Sequence, residues 1–323
     1  MAPIGIGLIG LGRHGMRYAQ HLREFGADAT LAAVSRRDAA RGAAFAAEHA
    51  VHFHQDYREL IADPDVGAVI VVTPPALTSS ICMAAVHARK PVLIEKPLAC
   101  TGAVAKAMAQ AAEIAGVPLM TAQTLRFDST IQALKVEVSK AGPAHYVALT
   151  YRLERNTVAG KDPAEYEQRG ILLEIGTHLF DLIRYLTGDE VVEVRCELER
   201  LGRETTESRA LVSLRTRGNL ACILDVSRVS MGRVSRVDWI GEQVQIHADW
   251  IRHRIGRLGP QPVVDEWSLP PCHTVVETIR AFLTALKRGG PMPITGWDGY
   301  KAVAIADACY ESAASGRVAR VAT

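Results

Sequence analysis

"IGIGLIGLGRHG", Ile4 to Gly15, decides how the rest of the chain is read. Its first half is a short apolar run rich in isoleucine, of strand length. The second half is G-x-G-x-x-G, with Gly10, Gly12 and Gly15, and "MRYAQHLREFG" then follows with helical periodicity. Each glycine has a separate task. The first permits a tight turn, the second lets backbone approach a pyrophosphate, and the third lets helix and strand pack closely. The helix N-terminus then offers free N–H groups to the anion. The spacing predicts a dinucleotide site at Gly10, Gly12 and Gly15.

Working outward, the alternation continues. "ATLAAVS", "VGAVIVVT", "PVLIE" and "PLMTAQ" read as strands, and "DAARGAAFAAEHA", "SSICMAAVHARK" and "AVAKAMAQAAEIAG" read as the helices around them. Continuous apolar strands between amphipathic helices predict a doubly wound parallel sheet covered on both faces. Around Gln123 the pattern changes. "AHYVALTYRLER", "VVEVRCELERL", "RALVSLRT", "NLACILDVSRVS", "RVDWIG" and "QVQIHADW" are strand-like runs without helices between most of them. Two helices close the chain, "TVVETIRAFLTALKRG" and "WDGYKAVAIADACYESAASG". The expected class is therefore α/β: a Rossmann domain over 1–122, then an α+β domain over 123–323 with a large open, antiparallel or mixed sheet.

Composition narrows the function. A 323-residue chain is long enough for two cored domains. A formal charge of +2, with basic residues spread among acids, argues against nucleic acid or an anionic membrane as the main partner. Six cysteines without a C-x-x-C fit reduced core thiols better than a zinc site or disulfide framework. The N-terminus has no basic start, so no signal peptide is read, and no apolar run reaches membrane-spanning length. The expectation is a soluble cytoplasmic protein.

The second strand ends "AVSRRD". A site for NAD usually places Asp or Glu there to accept from the ribose 2′-hydroxyl. Ser35, Arg36 and Arg37 suit a 2′-phosphate instead, because guanidinium supplies charge and a forked donor set. NADP(H) is favoured and NAD(H) is possible, a solvated basic turn being the alternative. "VLIEKPL" puts Glu95 and Lys96 just past a parallel strand, at the sheet edge where ligands bind, and Pro97 disfavours helix at Lys96.

"GILLEIGTHLFDLIRYLTG", Gly170 to Gly188, reads as one helix between two glycine stops. At about 100° per residue, Glu174, His178, Asp181 and Tyr185 fall in a strip roughly 60° wide with apolar margins. Such a seam is too narrow for an ordinary solvated face, although a helix touching water along one edge also fits it.

These ordered motifs, with "VVTPP", "LRFD" and the closing "GWDGYKAVAIADACYESAASGR", resemble the Gfo/Idh/MocA oxidoreductases over nearly the whole chain. That family includes glucose–fructose oxidoreductase and inositol dehydrogenase. The resemblance implies reversible hydride transfer between a nicotinamide and a hydroxyl or carbonyl carbon of a sugar, inositol or related polyol. It also implies a second domain whose sheet makes oligomer contacts, hence a homodimer or homotetramer. Lys96 matches the family's E-K-P lysine, and Glu174 and His178 match its D-x-x-x-H. Cofactor contacts are then expected from Gly10, Gly12, Arg13, His14, Gly15, Ser35, Arg36, Arg37, Thr73, Pro74, Glu95 and Lys96. Arg126, Arg152, Lys161 and Tyr166 flank the implied substrate pocket.

In the implied chemistry His178 takes the hydroxyl proton, Lys96 stabilises the charge developing on oxygen, and Glu174 orients substrate or imidazole. Two positions depart from the family pattern: Glu174 stands where Asp is usual, and Thr78 where a His commonly follows "TPP". A non-catalytic NADP(H)-binding sensor and a nicotinamide-assisted glycoside hydrolase or lyase are the rival functions. No metal site is expected, because His52 and His54 share a strand face without a third ligand nearby in sequence.

Overall fold

The computed structural model describes residues 2–154, 166, 168–202, 204–259 and 264–322. Backbone contacts divide the chain into two units, one reaching to Gln123 and including Val275–Tyr300, the other comprising Thr124–Thr274 and residues from Lys301 on. The first unit opens with β1 (Ile4–Ile9), α1 (Arg13–Leu22), β2 (Ala29–Ser35), α2 (Ala39–His49), β3 (His52–His54) and α3 (Tyr57–Ala62). It continues with β4 (Ala68–Val71), α4 (Pro75–His87), β5 (Val92–Glu95), α5 (Gly102–Ala115) and β6 (Leu119–Ala122).

These strands form one six-stranded parallel sheet in the order β3-β2-β1-β4-β5-β6. Every residue of β4, β5 and β6 is buried, as expected for strands with helices on both faces. The order reverses between β1 and β4, and the chain leaves β1, β4 and β5 toward the same edge. Gly10, Thr73 and Lys96 follow those three strand ends. A sheet of this kind binds its ligand at that crevice. Predicted and observed strands agree, β3 lying where His52 and His54 were read on a strand face, with α3 added by the structure.

The second unit begins with α6 (Ser129–Val138) and β7 (Ala144–Glu154). Next come a π-helical turn at Leu172–Gly176 and α7 (Thr177–Thr187). Strands β8 (Val191–Glu199), β9 (Arg209–Thr216), β10 (Ala221–Ser230), β11 (Val234–Gly241), β12 (Gln245–Asp249), β13 (Arg254–Leu258) and β14 (Val264–Ser268) follow. Last are α8 (Thr274–Arg288), α9 (Gly296–Ser315) and β15 (Ala319–Arg320). The second sheet has nine strands in the order β14-β13-β12-β11-β7-β10-β9-β8-β15. Among the described residues only β7 and β10 run parallel; the other pairs are antiparallel. Val147, Leu149, Cys222 and Leu224 are buried, whereas Tyr146 and Ile223 on the opposite face are exposed. The alternation read from sequence is thus a sheet with one covered face.

Residues 275–300, read with the second domain from sequence, cluster with the first unit. Thr295 bridges to Met120 beside β6, and Thr121 Oγ1 donates to Thr295 O at 3.3 Å. Lys287 pairs with Asp28, and Arg280 lies 5.3 Å over the Phe25 ring. Five of the six cysteines are buried and none is bonded to another. Among the described residues no helix is long and apolar enough to cross a membrane.

The glycine turn sets a sharp contrast. Gly10 has φ +100°, and a Cβ on Gly15 would lie 1.8 Å from the Gly10 carbonyl oxygen, whereas one on Gly12 would meet nothing within 4 Å. We expect Gly15→Ala to lose about 1–3 kcal/mol in urea unfolding, and Gly12→Ala to stay within about 1 kcal/mol of wild type. Equal stability of the two variants would refute this reading of the turn.

Candidate active site

Several helices among the described residues begin with a capping side chain. Asp38, Asp56, Thr101 and Asp128 accept from backbone N–H groups at the starts of α2, α3, α5 and α6. Helix α1 begins on Gly12 with no side-chain cap. Its first amides are therefore left for another acceptor. Gly10 N donates to Ser35 O at 2.9 Å, holding the turn against the end of β2. Thr73 Oγ1 is buried with no hydrogen-bond partner among the described residues, and its methyl lies against Gly10. Uncapped amides, open space at Gly12 and an unused hydroxyl at the sheet's switch point fit a dinucleotide.

Glu95 ends β5 and is buried. Its carboxylate accepts from Tyr18 Oη at 2.6 Å and from the Lys96 N–H at 3.0 Å, and bonds His14 Nε2 at 2.8 Å. Burial pushes the Glu95 pKa up, but the His14 hydrogen bond and the nearby His14 and Lys96 charges bring it below the ordinary value. The same burial, with Glu95 beside it, drives the Tyr18 pKa well up. His14 and Tyr18 are one helical turn apart on α1, so two side chains of one helix clasp the residue before Lys96. Lys96 itself is half-buried, and the Lys96–Pro97 peptide is cis. Thr78 is wholly buried and donates to Pro75 O at 2.9 Å and Leu98 O at 2.6 Å, joining α4 to the segment after Pro97.

At the end of β2, Ser35 is buried and donates to Gln55 O at 3.4 Å. Arg36 is half-buried and Arg37 exposed. Gln55 Nε2 donates to Arg37 O at 3.1 Å, fixing the backbone of this turn. Arg13 is exposed at the start of α1, and Pro74 precedes α4.

In the second unit, Glu174 sits inside the π turn, not in regular α-helix. The wider turn alters the angular steps, so the projection at a uniform angle does not hold N-terminal to Thr177. Glu174 is ion-paired with Arg228 of β10, both side chains being mostly buried. His178 is half-buried one residue into α7 and its Nδ1 is buried. The turn is anchored by Glu207, whose Oε1 accepts from Gly170 N at 2.8 Å, Leu172 N at 3.3 Å and Tyr310 Oη at 2.5 Å. Gly188 ends α7 in the left-handed region, as its sequence position predicted.

The remaining seam residues have structural partners. Asp181 is buried and takes both ends of the Arg126 guanidinium, at 2.8 Å and 2.6 Å. Arg126 also lies 5.4 Å over the Tyr185 ring. Arg152 of β7 is bound to Asp225 on neighbouring β10, with Nε at 2.9 Å. Tyr166 is half-buried, and Lys161 lies outside the described residues. Sequence reading missed Tyr18, Arg228 and Glu207. Only Tyr18 had a local signal, its four-residue spacing from His14; the others depend on residues far away in the chain.

Three comparisons bear on this arrangement. Residues 4–123 match the family model described as oxidoreductase family, NAD-binding Rossmann fold. Residues 136–249 match the Gfo/Idh/MocA C-terminal domain, and residues 268–322 the oxidoreductase family's C-terminal alpha/beta domain. The chain is 30% identical to myo-inositol 2-dehydrogenase of Thermotoga maritima, over 95% of each chain. It is 29% identical to inositol 2-dehydrogenase 2 of Saccharopolyspora erythraea, over 98% of this chain and 95% of the relative. Among solved structures, a probable dehydrogenase from Thermotoga maritima superposes with a TM-score of 0.85 at 28% identity, covering 98% of this chain and 99% of the other. With matched models over both halves, an uncapped glycine turn and the E-K-P lysine in place, this chain belongs to the Gfo/Idh/MocA family of oxidoreductases.

Proposed function

We propose that the protein is an NADP(H)-preferring dehydrogenase acting on a hydroxyl carbon of inositol, a sugar or a related polyol. One observation carries the reading: Lys96 stands at the carboxyl end of β5, on the same sheet edge as the glycine turn, with its backbone fixed by buried Glu95. The inositol 2-dehydrogenase names of the relatives supply the substrate class. Gly10, Gly12, Arg13, Gly15 and Thr73 would hold the dinucleotide, and Pro74 would border it. His14, Glu95 and Tyr18 keep the turn and the lysine in register.

The bound nicotinamide supplies the hydride acceptor or donor. Lys96 donates a hydrogen bond to the reacting oxygen and stabilises negative charge developing there. His178 receives the hydroxyl proton at Nε2, since its Nδ1 is buried, and returns it in the reductive direction. Glu174, ion-paired with Arg228, accepts from a substrate hydroxyl. Arg126 and Arg152, each held by an acid, shape the pocket wall through their partners. The exposed face bearing Tyr146 and Ile223 supports pairing of copies through the nine-stranded sheet.

A panel of myo-inositol, aldoses and polyols, followed by nicotinamide absorbance, should show turnover with at least one member. Lys96→Ala and His178→Asn should each lower kcat by about 10²–10⁴-fold while dinucleotide binding persists. Full turnover in either variant would remove that residue from the chemistry, and dinucleotide binding without turnover on any substrate would favour the regulator. For the cofactor, Arg36→Ala should reduce kcat/KM with NADP⁺ by about ten- to a hundredfold and leave NAD⁺ kinetics alone. Equal loss with both would refute a 2′-phosphate contact. Ile223→Asp should shift the sedimenting species toward monomer, and an unchanged assembly would place the interface elsewhere.

A further inference from the structure

We propose that His52, His54 and Asp63 form a binding site for a divalent transition cation of the zinc class, with two imidazole nitrogens and one carboxylate oxygen as ligands. The placement begins in sequence. H-x-H on β3 sends both imidazoles to one face of the strand and Phe53 to the other. Phe53 lies against Gly42 of α2, and Asp63 closes α3 as its C-cap.

The convergence is close. His52 Nδ1 lies 2.8 Å, and His54 Nε2 2.9 Å, from the same oxygen, Asp63 Oδ2. The candidate ligand atoms all lie within 4.8 Å of one another. The other carboxylate oxygen, Oδ1, accepts from Asp65 N at 2.9 Å, which fixes the carboxylate plane. On the far side of the His54 ring, Nδ1 faces Glu59 Oε2 at 3.9 Å. A carboxylate behind a ligating imidazole is the usual way of orienting such a ring. Asp65 Oδ2, 4.0 Å from His52 Nδ1, stands where it can reach the cation directly or through water.

Charge and donor type select the ion. Three carboxylates, Asp63, Asp65 and Glu59, face the cluster. The ammonium of Lys90 opposes them from the Asp63 backbone oxygen at 2.7 Å. With neutral imidazoles the surroundings are net negative. Two nitrogens and one oxygen suit zinc or its neighbours, whereas magnesium and calcium take oxygen sets. Zinc–ligand distances of about 2.0–2.2 Å require the nitrogens to draw slightly away from Asp63 Oδ2. His52, with 57% of its side chain exposed, has room to do so.

Each ligating nitrogen must present its lone pair to the cation, by a tautomer shift in a neutral ring or by loss of a proton from a charged one, so affinity falls as pH falls. Protons and the cation therefore compete for the same nitrogens. Because β3 pairs with β2 at Ala33, Val34 and Ser35, a bound cation would pin this three-residue edge strand.

The test uses the full-length chain without an affinity tag and reads binding, not turnover, so it stands apart from the dehydrogenase proposal. Calorimetric titration with zinc ion should show stoichiometric uptake at neutral pH, weakening toward pH 5 and unaffected by excess magnesium. The unfolding temperature should rise with zinc. His52→Gln, a substitution at an exposed position, should weaken uptake by about tenfold or more. The His52→Gln/His54→Gln double variant should abolish both uptake and the thermal shift. Failure of the wild-type chain to take up zinc overturns the proposal. So does unchanged uptake by the double variant while its circular dichroism remains native.

Discussion

A single buried carboxylate organises the first unit. Taking a charged group out of water costs several kcal/mol unless donors replace the lost solvent. Glu95 meets that requirement with Tyr18, His14 and the Lys96 amide. Two of those donors belong to α1, so they reach the carboxylate only while α1 lies against the end of β5. The helix that presents the glycine turn and the strand that presents Lys96 are thereby held in one register. The turn adds a second constraint, because Gly15 leaves no room for a side chain beneath the Gly10 carbonyl.

The second unit uses the same device repeatedly. Arg126 with Asp181, Arg184 with Glu190 and Arg228 with Glu174 are mostly buried guanidinium–carboxylate pairs. Planar, forked pairing fixes orientation as well as charge. The polar seam on the helix is therefore a row of anchored groups. A substrate hydroxyl arriving at Glu174 under the proposed chemistry meets a carboxylate already shared with an arginine, which limits the directions it can accept from.

Much of this was legible in the sequence because it rests on local periodicity. The parallel strands are continuous apolar runs, the Gly188 stop is a local conformational requirement, and the strands of the second sheet alternate. What was not legible depends on distance along the chain. Arg228 lies 54 positions from Glu174, and nothing in "DVSRVS" marks it as a partner. The π turn breaks the uniform angular step on which the helix projection relied. Asp63 is nine positions from His54 and eleven from His52, which hid the three-residue cluster from a search by short spacing. Strands β13, β14 and β15 went unread.

The return of residues 275–300 to the first unit has a consequence for biosynthesis. On the ribosome the six parallel strands emerge early, yet α8 and then Thr295, which flanks β6, arrive only about 150 and 170 residues later. The nascent Rossmann sheet must wait with that flank uncovered while the other sheet is still being made. A stalled or prematurely terminated chain would therefore present an apolar border to chaperones, and the amino-terminal portion is a poor choice for expression by itself.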